Sequence, residues 1–317
     1  MSIELTVFKG SANAGIVEST TRCDGPTGNE VIVKITHSGI YGTDEHFKHA
    51  DMVLEHEGVG TVEQIGDRVS QFQISDVVGW GYTHKTCGEC EQCLLEVDLD
   101  DFDDEEFGIN LLEMAEKEDP KDLDWLPPKL QALQMRKKAP EHAAPLMCGG
   151  ATVFEVIDSY NIRPTDRVGV VGIGGLGHLA IQFLSKMGAS VVVFSSTDSK
   201  REEALRLGAT EFYATNGVES FEMTKLDHLM VTTSFIPDWK PFTDLVIPMM
   251  PIVLGGINIQ GSVVSSRSAQ KKMLNFAARN HITPIVETFP LSKSGIEDGM
   301  ARLREGKMRY RGVLVAA

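Results

Sequence analysis

Apolar positions follow two different rhythms along the chain. Up to about residue 93 they come in short β-branched runs, "VIVKITHSG" (31–39), "GVGTVEQIG" (58–66) and "DVVGWGY" (76–82), broken by Gly, Asp and Pro. Runs of that length and composition predict a β-rich unit. From about Arg163 to Thr233 the pattern becomes strand, helix, strand: "DRVGVVGIGG", "LGHLAIQFLSKMGA", "SVVVFSS", "KREEALRLGA", "EFYAT", "LDHLMVTTS". Alternating elements with apolar strands predict a doubly wound parallel sheet, so the chain reads as α/β. The tail from Gly256 predicts a further strand over 256–264, an amphipathic helix over 269–280 and a closing "RYRGVLVA". That tail is expected to complete both domains.

Two stretches break the plan. Residues 94–138 lack the strand pattern, and fourteen Asp or Glu against two Lys between Leu94 and Asp124 give a local net charge of −12. Such a charged segment is expected to be solvated at its start, with short helices later. In "SFIPDWKPFTDLVIPMMPIVLGG" (234–256) no further glycine-bounded strand is evident.

At 317 residues the chain calls for two domains. Its net charge of −15 disfavours nucleic acid and anionic membrane surfaces as partners. No apolar run approaches the ~18 residues of a membrane span, and "MSIELTVFKG" does not read as a secretory signal, so a cytoplasmic location is expected. The five cysteines include "CGECEQC" (Cys87, Cys90, Cys93), which is metal spacing more than disulfide spacing.

In "VGVVGIGGLGHLAIQF", Gly172, Gly174, Gly175, Leu176 and Gly177 join a strand to a helix. Glycines there allow a sharp turn and close approach of a pyrophosphate, and the helix start supplies amide donors. The next strand ends not in an acid for a ribose 2′-hydroxyl but in Ser195, Ser196 and Thr197, followed by Lys200 and Arg201. Hydroxyls and cations suit a 2′-phosphate, so NADP is expected over NAD.

With "GIYGTDEH", "HEGVG", "CGECEQC" and "PLMCGGATV" in this order, the chain resembles the zinc-type medium-chain alcohol dehydrogenases, and among them the NADP-dependent cinnamyl alcohol dehydrogenase group. The resemblance covers 1–93, about 139–240 and from about Leu245 to the end, and omits the acidic segment. It implies a GroES-like β-rich catalytic domain (1–150, with 94–138 atypical), a Rossmann NADP-binding domain (151–285) and a C-terminal return (286–317). It implies a catalytic zinc held by His56, Glu57 and Cys148, with Tyr41 standing where the family has a fourth ligand, a Cys, and Glu55 where it has the Gly of "GHE". Thr43 matches a hydroxyl that touches the substrate oxygen, and His46 a histidine that hands the proton to solvent. Asp44 is read as bonding nearby backbone. Cys87, Cys90 and Cys93 match three of four ligands of a structural zinc, with Asp101 in the place of the fourth. Thr152 is implied at the cofactor and Arg311 at its pyrophosphate. The implied substrate is a small alcohol or aldehyde, and a homodimer is allowed. Two other readings stay open: a metal-free NADPH quinone or enone reductase with Tyr41 as acid, and a noncatalytic NADP-binding homologue.

Overall fold

The computed structural model describes residues 3–13, 15–54, 56–81, 133–134, 139–234, 237, 239–242, 259–262 and 264–317. Glu55, Cys87, Cys90, Cys93, Asp101, the acidic segment apart from 133–134, and 243–258, with the expectations placed on them, lie outside the described residues. The chain divides into two units, one of residues 1–148, 264–271 and 285–317, the other of 149–263 and 272–284.

The first unit is β-rich, as its short β-branched runs require. β1 (Ile3–Lys9) and β2 (Val17–Cys23) form an antiparallel pair. β3 (Val31–Ile40), β4 (Gly58–Ile65), β5 (Val77–Trp80) and β6 (Leu133–Gln134) pair antiparallel in sequence order. The other edge of this sheet is added by the tail, β12 (Arg311–Val315) antiparallel to β3 and β11 (Val286–Pro290) parallel to β12. Between β3 and β4 lies the one-and-a-half-turn α1 (Gly42–Phe47), and α2 (Pro140–Pro145) packs on β3. The helix α7 (Lys293–Arg304) starts with Ser292 accepting from the Gly295 amide and buries Ile296 and Met300 against Ile16, Ile40, Leu54 and Leu314. Each such fully buried aliphatic side chain is worth about 1.5–3 kcal/mol.

In the second unit, β7 (Arg167–Val171), β8 (Ser190–Ser195), β9 (Glu211–Ala214) and β10 (His228–Val231) form a parallel sheet in the order β10-β7-β8-β9. Val191, Val192, Val193 and Phe194 are all fully buried, which is why β8 reads as a continuous apolar run and not an alternating one. The crossovers run through α4 (Gly177–Met187) and α5 (Arg201–Leu207). The helix α3 (Ala151–Ser159) adds Phe154 to a ring cluster with Phe183 and with Phe276 of α6 (Arg267–Arg279).

The strand expected over 256–264 is not present at Ile259–Ser262: the Gly261 carbonyl accepts from the Tyr160 hydroxyl at 2.6 Å instead of joining a ladder, and Ile259 is exposed. Among the described residues no helix is long and apolar enough to cross a membrane.

Candidate functional site

The expected metal ligands converge within the β-rich unit. One ligand atom from each of His56, Glu57 and Cys148 lies within 4.8 Å of the others, close enough for one ion to touch all three. His56 and Glu57 end the loop that enters β4, and Cys148 sits in a single π-helical turn, Leu146–Gly150, between α2 and α3. That turn is fixed from two sides: Gln270 Nε2 donates to the Met147 carbonyl at 3.1 Å, and a Cβ added to Gly81 would lie 2.3 Å from the same oxygen.

Each of these three residues has a partner behind it. Asp44 Oδ1 faces His56 Nδ1 at 3.7 Å, while Oδ2 accepts the Tyr41 amide at 2.8 Å, so Asp44 holds the start of α1 as expected and also orients the His56 imidazole. Burial alone would push the His56 imidazolium down, but Asp44 and Cys148 outweigh it and lift the pKa from 6.5 to about 11. In the metal-free protein that proton stabilises the fold fully below pH 6.5, and the contribution is lost as pH rises through about 11. A metal ion must displace it.

Glu57 and Arg311 are both completely buried and form an ion pair, and the Arg311 guanidinium lies 4.1 Å from the centre of the Tyr41 ring. Burial disfavours charge on Arg311, yet Glu57 and Tyr41 together raise its pKa, so the guanidinium stays charged. The sequence links Arg311 to the cofactor pyrophosphate; the structure brings it to Glu57 and Tyr41, and its Nε and Nη1 have no hydrogen-bond partner among the described residues. A Cβ on Gly39 would lie 2.1 Å from Glu57 Oε2, so the carboxylate occupies space that only glycine leaves open.

Tyr41 immediately precedes α1, its ring centre 6.5 Å from that of His56. Burial raises its phenol above the ordinary value, with Arg311 opposing and Glu57 and Cys148 reinforcing, so the phenol is neutral near pH 7. Thr43 is half-buried and His46 exposed, three residues apart on α1.

In the other unit, the glycines divide the work at the end of β7. Gly172 has φ +93°, a conformation open to glycine, and a Cβ on Gly177 would lie 2.0 Å from the Gly172 carbonyl. A Cβ on Gly174 would meet nothing within 4 Å, leaving that face of the turn open to a ligand. Gly175 and Leu176 complete the turn, and Leu176 is the residue before α4. Ser195 ends β8, with Ser196 and Thr197 following, and Thr197 Oγ1 lies 2.9 Å from Ser199 Oγ. The two cations of this stretch part company. Lys200 Nζ donates to the Ile173 carbonyl at 2.6 Å, inside the glycine-rich turn, whereas Arg201 turns to Asp198 and Phe212. Thr152 lies in the first turn of α3.

Three participants were not singled out as site partners from the sequence: Asp44 behind His56, Arg311 behind Glu57, and Gln270 behind Cys148. Asp44 was legible as an Asp three residues from Tyr41, and Arg311 was marked by the closing "RYRGVLVA" but for the cofactor and not for Glu57; no local signal marks Gln270.

Two family profiles match: "Alcohol dehydrogenase GroES-like domain" over residues 27–108 and "Zinc-binding dehydrogenase" over 175–235. An aldehyde reductase of Synechocystis sp. is 30% identical, covering 90% of this chain and 91% of its own. A probable cinnamyl alcohol dehydrogenase of Populus deltoides is 29% identical over 91% of this chain and 88% of its own. Among solved structures, a cinnamyl alcohol dehydrogenase from Helicobacter pylori complexed with NADP(H) superposes with TM-score 0.78 at 21% identity, covering 99% of both chains.

Proposed function

Because the chain belongs to the zinc-type medium-chain alcohol dehydrogenase family, we propose that it is an NADP-dependent oxidoreductase that interconverts an alcohol and an aldehyde by hydride transfer with zinc assistance. The observation that carries this reading is the convergence of His56, Glu57 and Cys148, a donor set that suits zinc with an exchangeable position. Bound there, zinc supplies polarisation of a carbonyl or a lowered pKa for an alcohol. The chain's own residues do the positioning. Asp44 orients His56, Arg311 holds the Glu57 carboxylate, and Gln270 fixes the turn that carries Cys148. Thr43 holds the substrate oxygen, and His46, exposed on the same helix, passes the proton to solvent. On this reading the catalytic domain is the unit of residues 1–148, 264–271 and 285–317, and the NADP domain is the other. There the turn at Gly172–Gly177 and Thr152 receive the dinucleotide, while Ser195, Ser196, Thr197 and Lys200 receive its 2′-phosphate. The activities for which the relatives are named, aldehyde reductase and cinnamyl alcohol dehydrogenase, support an aldehyde as substrate class.

A second reading, the metal-free NADPH reductase of quinones or enones, is favoured by one observation, the neutral Tyr41 phenol where the family has a thiolate. The test is zinc content of the purified protein with NADPH oxidation by an aromatic aldehyde and by an enone. Stoichiometric zinc with aldehyde turnover, both lost in Cys148→Ser, is the expected result. Enone turnover without zinc replaces the reading with the second one, and turnover of neither replaces it with the noncatalytic one.

Lys200→Ala is expected to weaken NADPH by about 1.5–3 kcal/mol, the value of a charge-assisted bond to phosphate. Because Lys200 also anchors the Ile173 carbonyl, NADH should lose affinity too, but only about 0.5–1.5 kcal/mol. Titration of both cofactors checks this, and equal losses would remove Lys200 from the phosphate site.

A further inference from the structure

We infer that Arg201 sets the preference for a 2′-phosphorylated cofactor by neutralising Asp198, a carboxylate that would otherwise favour the unphosphorylated ribose. The inference rests on the NADP reading above and adds a determinant to it. Asp198 comes three residues after the end of β8 and opens a 3₁₀ turn, Asp198–Lys200. Lys200 Nζ reaches the Ile173 carbonyl at 2.6 Å, which ties this short turn to the glycine-rich turn after β7. An acid at this end of the second strand is the group that accepts from a ribose 2′-hydroxyl and repels a 2′-phosphate. The sequence therefore carries an acid of the wrong sign for NADP, slightly displaced from the strand end.

Arg201 answers that charge directly. Its Nε and Nη2 both donate to Asp198 Oδ1, at 2.8 and 2.6 Å. The guanidinium is held in place from the opposite side, Nη1 donating to the Phe212 carbonyl at 3.0 Å and the guanidinium carbon lying 4.7 Å from the Phe212 ring centre. Glu202, the next acid, faces Arg206 at 3.9 Å further along α5. An exposed pair contributes little to folding. What it sets here is the charge of the turn that directly follows Ser195, Ser196 and Thr197 along the chain. With the Asp198 side chain 65% exposed, solvent screens that charge, so the effect is moderate.

The test uses Arg201→Met, which keeps an apolar stem against Phe212 while removing the charge. Dissociation constants for NADPH and NADH are measured by fluorescence titration for the wild type, Arg201→Met and Arg201→Met/Asp198→Asn. The NADPH-over-NADH preference should fall by about fivefold in Arg201→Met, the ceiling for a screened surface charge. Asp198→Asn in that background should restore it. If Arg201 only supports the fold, both cofactors weaken by the same factor and Asp198→Asn restores nothing; either result overturns the inference. A wild type without preference for NADPH removes the NADP reading, while the change in ratio on Arg201→Met still decides the role of Arg201.

Discussion

Tyr41→Cys is expected to raise zinc affinity and aldehyde reduction together. Position 41 is already held as a ligand position should be, its amide donating to Asp44 Oδ2 at 2.8 Å directly before α1. What stands there is a phenol that burial pushes above its ordinary value, Arg311 opposing. A neutral phenol is a poor zinc donor, whereas a thiol with an unperturbed pKa of about 8.5 ionises readily beside a metal. The gain should be at least ~100-fold in affinity, since outer-shell partners alone are worth 10–100-fold. The substitution also removes the ring under Arg311, 4.1 Å from its guanidinium carbon, so the metal-free variant should be less stable by roughly 2 kcal/mol, a shortfall that zinc then offsets. Competition against a chromogenic chelator reads the affinity and NADPH oxidation reads the turnover. If both stay unchanged, and Cys148→Ser also changes nothing, zinc has no part in the reaction.

The elements whose pattern is local were legible in the sequence. β8 announces itself as "SVVVFSS" because both its faces are covered, and α4 because "GIGGLG" can only turn where Gly172 takes φ +93° and Gly177 lets the helix approach the strand. The meeting of His56, Glu57 and Cys148 was anticipated by motif order, although 91 positions separate Glu57 from Cys148 (148 minus 57). β11 and α7 were missed, the first because "VETFP" alternates too weakly to count as a strand until β12 pairs beside it, the second because "KSGIEDGMARLR" carries two glycines and few apolar residues. Within the strand expected over 256–264, the described stretch Ile259–Ser262 departs for the opposite reason: an apolar residue was present, but Gly261 gives its carbonyl to Tyr160. Arg311 shows the same limit at the site. Its sequence neighbours mark a closing strand, and only the pairing of Gly312 with Ile40, one residue from Tyr41, puts it beside Glu57 and Tyr41.

That placement carries the second large expectation: Arg311→Met should destabilise the metal-free protein by about 3–5 kcal/mol, as removal of one partner from a buried ion pair does. Glu57 has no exposed surface, and its carboxylate presses against Gly39, where a Cβ would lie 2.1 Å from Oε2, so it cannot swing out to water. Without the guanidinium it is a buried charge, or it takes up a proton. Two further substitutions separate this electrostatic account from loss of packing. Glu57→Gln combined with Arg311→Met removes the stranded charge and should recover a large part of the stability, whereas a packing defect at 311 would persist. Zinc should likewise protect Arg311→Met more than it protects the wild type, because the ion supplies the positive charge that Glu57 has lost. Urea unfolding with and without zinc measures all three. A loss below about 1 kcal/mol in Arg311→Met, or a double variant no more stable than Arg311→Met, would mean that Glu57 does not depend on Arg311 for its charge.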